Sequence, residues 1–110
     1  PATYAAKLTR ETRRIHWSDP AERVARVIRA FDPAPGAWTE LDGRDLKLFG
    51  ARVAQESGAP GEIRTTDGGL RITAGRGAVT IDEIQPAGKP RMSAADWARG
   101  RGAQAGQRFS

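Results

Sequence analysis

The sequence has 110 residues, of which 38% are hydrophobic and 6% aromatic, and its net charge is +5. This length suffices for one domain with a modest core and is short for two. The chain contains no cysteine and one histidine, His16, which excludes disulfides, thiol catalysis and metal sites built on Cys or several His residues. No run approaches the roughly 20 apolar residues of a membrane-spanning helix, so no membrane association is expected.

The charge is distributed unevenly along the chain. Residues 1–31 carry seven Lys/Arg against three Asp/Glu, residues 32–86 carry six against nine, and residues 87–110 carry five against one. Both ends are therefore basic and the middle is mildly acidic, a pattern that favours a polyanionic partner. The simpler alternative is that basic termini only keep the protein in solution. The N-terminal residues contain no apolar signal-peptide core, and a chain that begins at Pro1 is expected to be part of a longer, cytoplasmic protein.

One amphipathic helix is predicted after a weakly patterned arm at residues 1–17. Asp19 as N-cap, Pro20 at the first helical position and Glu22 at the third form a capping signal. An apolar stripe at helical spacing follows, formed by Val24, Val27, Ile28 and Phe31. The prolines of "FDPAPG" end this helix.

From Gly36 onward the hydrophobic period changes to two, which predicts strands. Five strands are predicted, at residues 37–41, 45–54, 62–66, 70–74 and 78–84. Asp42-Gly43 is a hairpin signal, and a slip of the apolar phase near Phe49-Gly50 predicts a bulge in the second strand. Ser93 begins a short second helix that ends near Arg99, and the remaining C-terminal residues are expected to lie on the surface. The predicted fold is mainly β: an OB-like, five-stranded antiparallel barrel with an N-terminal amphipathic helix and a short C-terminal helix.

Catalytic chemistry has little support in the sequence. Asp82 and Glu83 are adjacent on a predicted strand and therefore face opposite ways, which makes them a poor acid–base pair. The three tryptophans sit beside capping signals or apolar neighbours and are expected in the core rather than stacked on bases. No catalytic and no metal-binding residue is predicted. If nucleic acid binds, we expect it to be held by its phosphates and recognised by its shape.

Four stretches resemble successive motifs of one family, in the family's order. They are "YAAKLTRETRRIHW", "IRAFDPAPGAWTELDGRDLKLFGARV", "GAPGEI" and "IQPAGKPRMSAADWARG", which together cover about residues 3–100. The set is similar to the C-terminal domain of methionyl-tRNA formyltransferases. The chain departs from that pattern at His16, where the family usually has Asp, and in "DPAPG", where the family commonly has "NPWPG".

The resemblance implies a role that the residue pattern alone does not give. Enzymes of the family transfer a formyl group from 10-formyltetrahydrofolate to initiator methionyl-tRNA, and their chemistry lies in an upstream Rossmann-like domain. This fragment would then hold no cofactor, be inactive alone, belong to a monomer, and consist of a basic linker (1–17) and an OB-like tRNA-binding domain (18–110). Six basic residues fall where the resemblance implies tRNA contacts: Lys7, Lys47 and Lys89 by direct match, and Arg10, Arg14 and Arg91 by position.

Two other interpretations stay open at this point. The chain is an independent OB-fold module that binds nucleic acid, or it is a structural domain of a related folate-dependent formyltransferase or hydrolase that acts on a small molecule. A coding sequence without an upstream Rossmann domain would favour the first. A small-molecule substrate in place of tRNA would favour the second.

Overall fold

A computed structural model describes residues 10–66, 69–100 and 107–110, and these form eight antiparallel strands and two α-helices. The mainly-β class with two helices is therefore confirmed. The helices are α1 (Ala21–Ala30) and α2 (Ala94–Gly100). The strands are β1 (Ala37–Leu41), β2 (Arg44–Phe49), β3 (Arg52–Ala54), β4 (Ile63–Thr66), β5 (Gly69–Thr73), β6 (Ala78–Ile81), β7 (Glu83–Pro86) and β8 (Met92–Ser93). None of the described helices is long and apolar enough to cross a membrane.

The strands form two four-stranded sheets and not the single five-stranded barrel that the sequence predicted. The strand orders are β1-β2-β7-β8 and β3-β6-β5-β4. Two of the five predicted strands are each divided between the sheets. The predicted strand at 45–54 becomes β2 and β3, and the predicted strand at 78–84 becomes β6 and β7.

The two divided strands bend at the same place in the structure. Gly50 separates β2 from β3 and has a φ of 72°, and a Cβ there would lie 2.8 Å from Cβ of Asp82, which separates β6 from β7. The Asp82 N–H donates to the Phe49 carbonyl at 3.1 Å, so pairing continues across the bend. The slip of apolar phase at Phe49-Gly50 thus marks a real break, and only glycine fits it.

The tight turn between β1 and β2 is formed as predicted. Asp42 and Gly43 have φ values of 53° and 79°, and positive φ at both central residues is what a type I′ hairpin turn requires. The turn fixes the register in which Trp38 lies opposite Lys47.

Helix α1 begins one residue later than predicted, with Pro20 rather than Asp19 as the N-cap and no side-chain capping bond. The turn after β5 replaces that cap, because the Ala21 N–H donates to the Arg76 carbonyl at 2.8 Å. Val24 and Ile28 of the predicted stripe are buried, and α1 packs on β3 and β6.

Phe109, in the described C-terminal segment 107–110, is part of the core, which corrects the expectation that this segment lies on the surface. Residues 101–106 lie outside the described residues. Phe109 is 3% exposed and stacks on Trp17 and Trp97, with ring centroids 5.9 and 6.3 Å away. Ser110 exchanges backbone hydrogen bonds with Glu40 of β1, and the Phe109 N–H donates to the Gly61 carbonyl at 2.8 Å, just before β4. Residues 107–110 therefore connect the edge of one sheet to the edge of the other. A single Phe in a Gly-rich tail has no periodicity, so the sequence pattern does not predict its burial.

The three tryptophans are buried, as the sequence predicted. Trp17, Trp38 and Trp97 are 5%, 4% and 9% exposed. Trp17 lies in the core with its Nε1 donating to Thr39 Oγ1 at 2.9 Å. Trp38 faces the opposite side of the sheet, where the N-terminal segment covers it.

Candidate nucleic-acid interface

A row of side chains crosses the outer face of β1, β2 and β7. The register places Trp38 opposite Lys47 and Lys47 opposite Gln85. Side chains alternate along a strand, so Leu46 and Leu48, which flank Lys47, point into the core. Core packing on one face of β2 thus holds Lys47 on the other.

The N-terminal segment forms one wall beside this row. The Ile15 N–H donates to the Trp38 carbonyl at 2.9 Å, and Trp38 Nε1 donates to the Arg10 carbonyl at 2.7 Å. The guanidinium of Arg13 donates to the Gly36 carbonyl at 3.0 Å, and Gly36 in turn lies against the Lys47 side chain. Because Ile15 is only 1% exposed, the segment is anchored from its C-terminal end.

The turn after β7 forms the opposite wall. The Lys89 N–H donates to the Pro86 carbonyl at 3.0 Å, and Gln85 Nε2 donates to the Lys89 carbonyl at 3.1 Å. The turn is tied to the sheet because the Ala87 N–H donates to the Asp45 carbonyl at 3.0 Å. Lys89 is therefore exposed on a hydrogen-bonded turn and not on a free loop.

Between the walls lies an open groove of about 280 Å³. Its basic lining residues are Arg10, Arg13 and Lys47, and Asp45 is the carboxylate in the lining. No ion pair with a described residue engages Lys47 or Lys89. Their charges are available to a bound anion.

Two arginines of the N-terminal segment are already paired. Arg10 forms an ion pair with Asp45 and lies over the Trp38 ring at 3.6 Å, and Arg14 pairs with Glu40 at 3.2 Å and approaches the same ring at 4.6 Å. Glu40 and Asp45 are cross-strand neighbours, so the two acids sit side by side under the two arginines. This arrangement neutralises much of the arginine charge and covers Trp38.

Among the predicted site residues that the structure describes, Arg91 is the one held by two carboxylates and an aromatic ring. Its Nε donates to Glu83 at 2.6 Å, its Nη2 lies 3.4 Å from Asp32, and its Cζ lies 3.8 Å from the centroid of Phe49. Arg91 follows the Lys89 turn without lining the groove.

The structure brings Arg10 and Lys47 to one groove, with Lys89 on the turn that forms its wall. Arg14 lies over the Trp38 ring without lining the groove, and Lys7 lies outside the described residues. The six predicted residues omitted Arg13, which lines the groove. Its place in the same basic run as Arg10 was the only available signal.

The groove has the groups to bind an anion, and the described residues offer no cluster of His, Cys, Asp or Glu suited to a metal ion. Asp82 pairs with Arg52 and Glu83 pairs with Arg91, so these neighbouring acids serve separate ion pairs.

Comparison with protein families identifies the domain. Residues 7–102 match the family described as "Formyl transferase, C-terminal domain". The chain belongs to this family. The resemblance found in the sequence motifs is therefore confirmed.

Relatives of this formyl transferase C-terminal domain include two proteins named methionyl-tRNA formyltransferase. The protein of Magnetococcus marinus is 45% identical over 108 residues, covering 97% of this chain and 35% of its own length. That of Thiobacillus denitrificans is 45% identical over 112 residues, with 98% and 36% covered. The chain thus spans about a third of the length of the curated relatives it matches.

Solved structures with the same fold include HypX from Aquifex aeolicus. One variant has a TM-score of 0.74 and 29% identity, covering 90% of this chain and 19% of HypX. HypX in complex with tetrahydrofolic acid has a TM-score of 0.74 and 30% identity, with 82% and 17% covered.

Proposed function

We propose that this chain is the non-catalytic tRNA-binding domain of a methionyl-tRNA formyltransferase, the enzyme that formylates initiator methionyl-tRNA with 10-formyltetrahydrofolate. The observation that carries the proposal is the groove, in which Lys47 has no acidic partner among the described residues and Lys89 projects from the adjoining turn. Phosphates are the natural ligands of such a site, since they carry the charge that dominates affinity for nucleic acids. The names of the 45%-identical relatives support tRNA as the partner.

The groove suits a folded RNA better than an unstacked single strand. Single-strand binding relies on aromatic side chains on which bases stack. Trp38 is covered by Arg10 and Arg14, and Phe49 is 1% exposed beneath Arg91. The proposed contacts are therefore made to the tRNA backbone, and they orient the acceptor arm toward a distant active site.

The proposal extends to the parent protein. Residues 1–17 would form a basic linker from an upstream Rossmann-like catalytic domain that binds 10-formyltetrahydrofolate, in a monomeric cytoplasmic enzyme. The fit of residues 10–17 against β1 supports a linker whose end is held in place, which reduces the conformational freedom lost when tRNA binds. Relatives about three times as long as this chain leave room for such a domain.

Substitution of Lys47 and Lys89, which pair with no acid among the described residues, tests the proposal. In the full-length protein, Lys89→Ala and Lys47→Ala should each raise the KM for initiator tRNA about five- to tenfold. Each should also reduce the salt slope, which is the steepness with which the logarithm of the binding constant falls against the logarithm of salt concentration, by about 0.7–0.9. The kcat and the stability of the fold should change little, because neither side chain is in the core. Arg108→Ala, which removes an exposed charge that pairs with no described acid, is the matched control. An unchanged KM in both lysine variants would refute the proposal.

The fold similarity to HypX favours one alternative, a structural domain in a folate-dependent enzyme that acts on a small molecule. In that case the wild-type protein would show no salt-dependent affinity for tRNA. A titration of the wild-type protein with tRNA at several salt concentrations therefore separates the two.

A further inference from the structure

A second basic surface lies on α1, away from the groove. Arg23, Arg26 and Arg29 are spaced by three residues and all three are exposed. Residues three apart are neighbours on a helix surface, so the side chains form one ridge, about 9 Å long at a rise of about 1.5 Å per residue. We name Arg23, Arg26 and Arg29 the α1 ridge.

The arginines of the α1 ridge lack the ion pairs that most other described arginines form. Arg23 and Arg26 form no ion pair with a described residue, and Arg29 donates only to the Ala51 carbonyl, at 3.3 Å. Seven other arginines do form ion pairs: Arg10, Arg14, Arg52, Arg64, Arg71, Arg91 and Arg99. Glu22 is the one acid in α1, and it forms no ion pair with a described residue. Three arginines against one carboxylate leave the exposed surface of the helix with a net positive charge.

Contacts at the end of α1 connect the ridge to Arg91, in the segment that follows the Lys89 turn. Asp32 lies 3.4 Å from Arg91 through Oδ1 and accepts the Gly50 N–H at 3.0 Å through Oδ2. Arg29 reaches the carbonyl of Ala51, the residue after Gly50. The C-terminal end of α1 is thus fixed beside Arg91, which lies two residues beyond Lys89.

We propose that the α1 ridge is a second phosphate-binding surface, which contacts the backbone of the same tRNA beyond the groove. This rests on the proposed function. A guanidinium group matches a phosphate with two parallel hydrogen bonds, and a row of guanidinium groups fits successive phosphates. No aromatic side chain lies on the exposed face of α1, so the contact is made to the backbone and not to bases.

The test is a double substitution, Arg23→Gln with Arg26→Gln, in the full-length protein. Glutamine keeps the helix propensity of arginine and removes the charge. The matched control is Arg44→Gln with Arg108→Gln, which removes two exposed charges that pair with no described acid, from β2 and the C-terminal segment. The probe is an in vitro transcript of initiator tRNA, titrated at several salt concentrations, with thermal melting to verify the fold.

We expect the ridge variant to weaken binding about tenfold and to reduce the salt slope by about 1.4–1.8, while the control variant binds as the wild type does. Equal weakening of the two variants would mean that only net charge matters and would overturn the inference. Unchanged binding by the ridge variant would overturn it as well, with the groove proposal intact. Absence of tRNA binding by the wild-type protein would be a failure of the proposed function itself.

Discussion

The guanidinium group of Arg91 lies over the ring of Phe49, with 3.8 Å between Cζ and the ring centroid. Phe49 is the last residue of β2, immediately before the bend at Gly50. Glu83 and Asp32 hold the same guanidinium from β7 and from the segment after α1. Arg91 therefore ties three parts of the chain together next to the Lys89 turn, and its charge is already balanced by two carboxylates.

We predict that Arg91→Gln destabilises the fold by about 1–2 kcal/mol, because it removes a stacking contact and two partly exposed ion pairs. It should also weaken tRNA binding through the loosened turn, yet leave the salt slope unchanged, since a neutralised guanidinium releases no counterion. Urea denaturation and salt titrations measure the two effects. Lys89→Ala provides the contrast, with unchanged stability and a lower slope. If the slope of Arg91→Gln falls by about 0.7–0.9, Arg91 contacts a phosphate directly, as the sequence resemblance implied.

Gly50 determines where the chain bends from one sheet into the other. We predict that Gly50→Ala destabilises the fold by about 2–4 kcal/mol, because alanine at a φ of 72° is strained and its Cβ meets Asp82 at 2.8 Å. Gly43→Ala is the control, with a φ of 79° and no atom within 4 Å of the added Cβ. It should cost only the backbone strain, about 1–2 kcal/mol. Equal losses in chemical denaturation would show that crowding at the bend is unimportant.

The sequence predicted local structure well where one strand or helix determines it. The type I′ turn at Asp42-Gly43, the strand at residues 37–41 and the Ser93 cap of α2, where Ser93 Oγ accepts the Asp96 N–H at 3.0 Å, follow from neighbouring residues. The division into two sheets depends on Gly50 meeting Asp82, residues 32 apart in sequence. Nothing local distinguishes a bend of this kind from a bulge within one barrel.

Only part of the candidate site was predicted, because its geometry also depends on contacts between distant segments. Lys47 and Lys89 were identified because they match family motifs, and their placement at one groove depends on the pairing of β2 with β7. The pairing of Arg14 with Glu40 and of Arg91 with Glu83 could not be read from charge counts. Those contacts join distant segments, and they separate available charges from neutralised ones.

Phe109 was the largest omission from the predicted core. We predict that Phe109→Ala destabilises the fold by about 3–5 kcal/mol, because the ring lies between Trp17 and Trp97 and leaves a cavity when removed. Arg108→Ala, at the exposed neighbouring position, should change the stability by less than about 0.5 kcal/mol. Tryptophan fluorescence during urea unfolding reports both. A Phe109→Ala variant as stable as Arg108→Ala would mean that the C-terminal segment does not complete the core.

Glu56 gives the fold a predictable response to acid. Arg71 donates a 2.9 Å hydrogen bond to its carboxylate, and with the charge of Arg64, which bonds to the other oxygen, it holds the pKa of Glu56 below the ordinary value of 4.5. Because the folded pKa is lowered, the stabilisation is fully present above pH 4.5 and is lost as the pH falls through the folded pKa. Glu56→Gln should therefore be less stable than the wild type at pH 6, and the difference should shrink toward pH 3. A pH-independent gap for Glu56→Gln in denaturation curves would show that the Arg71 bond does not depend on the carboxylate charge.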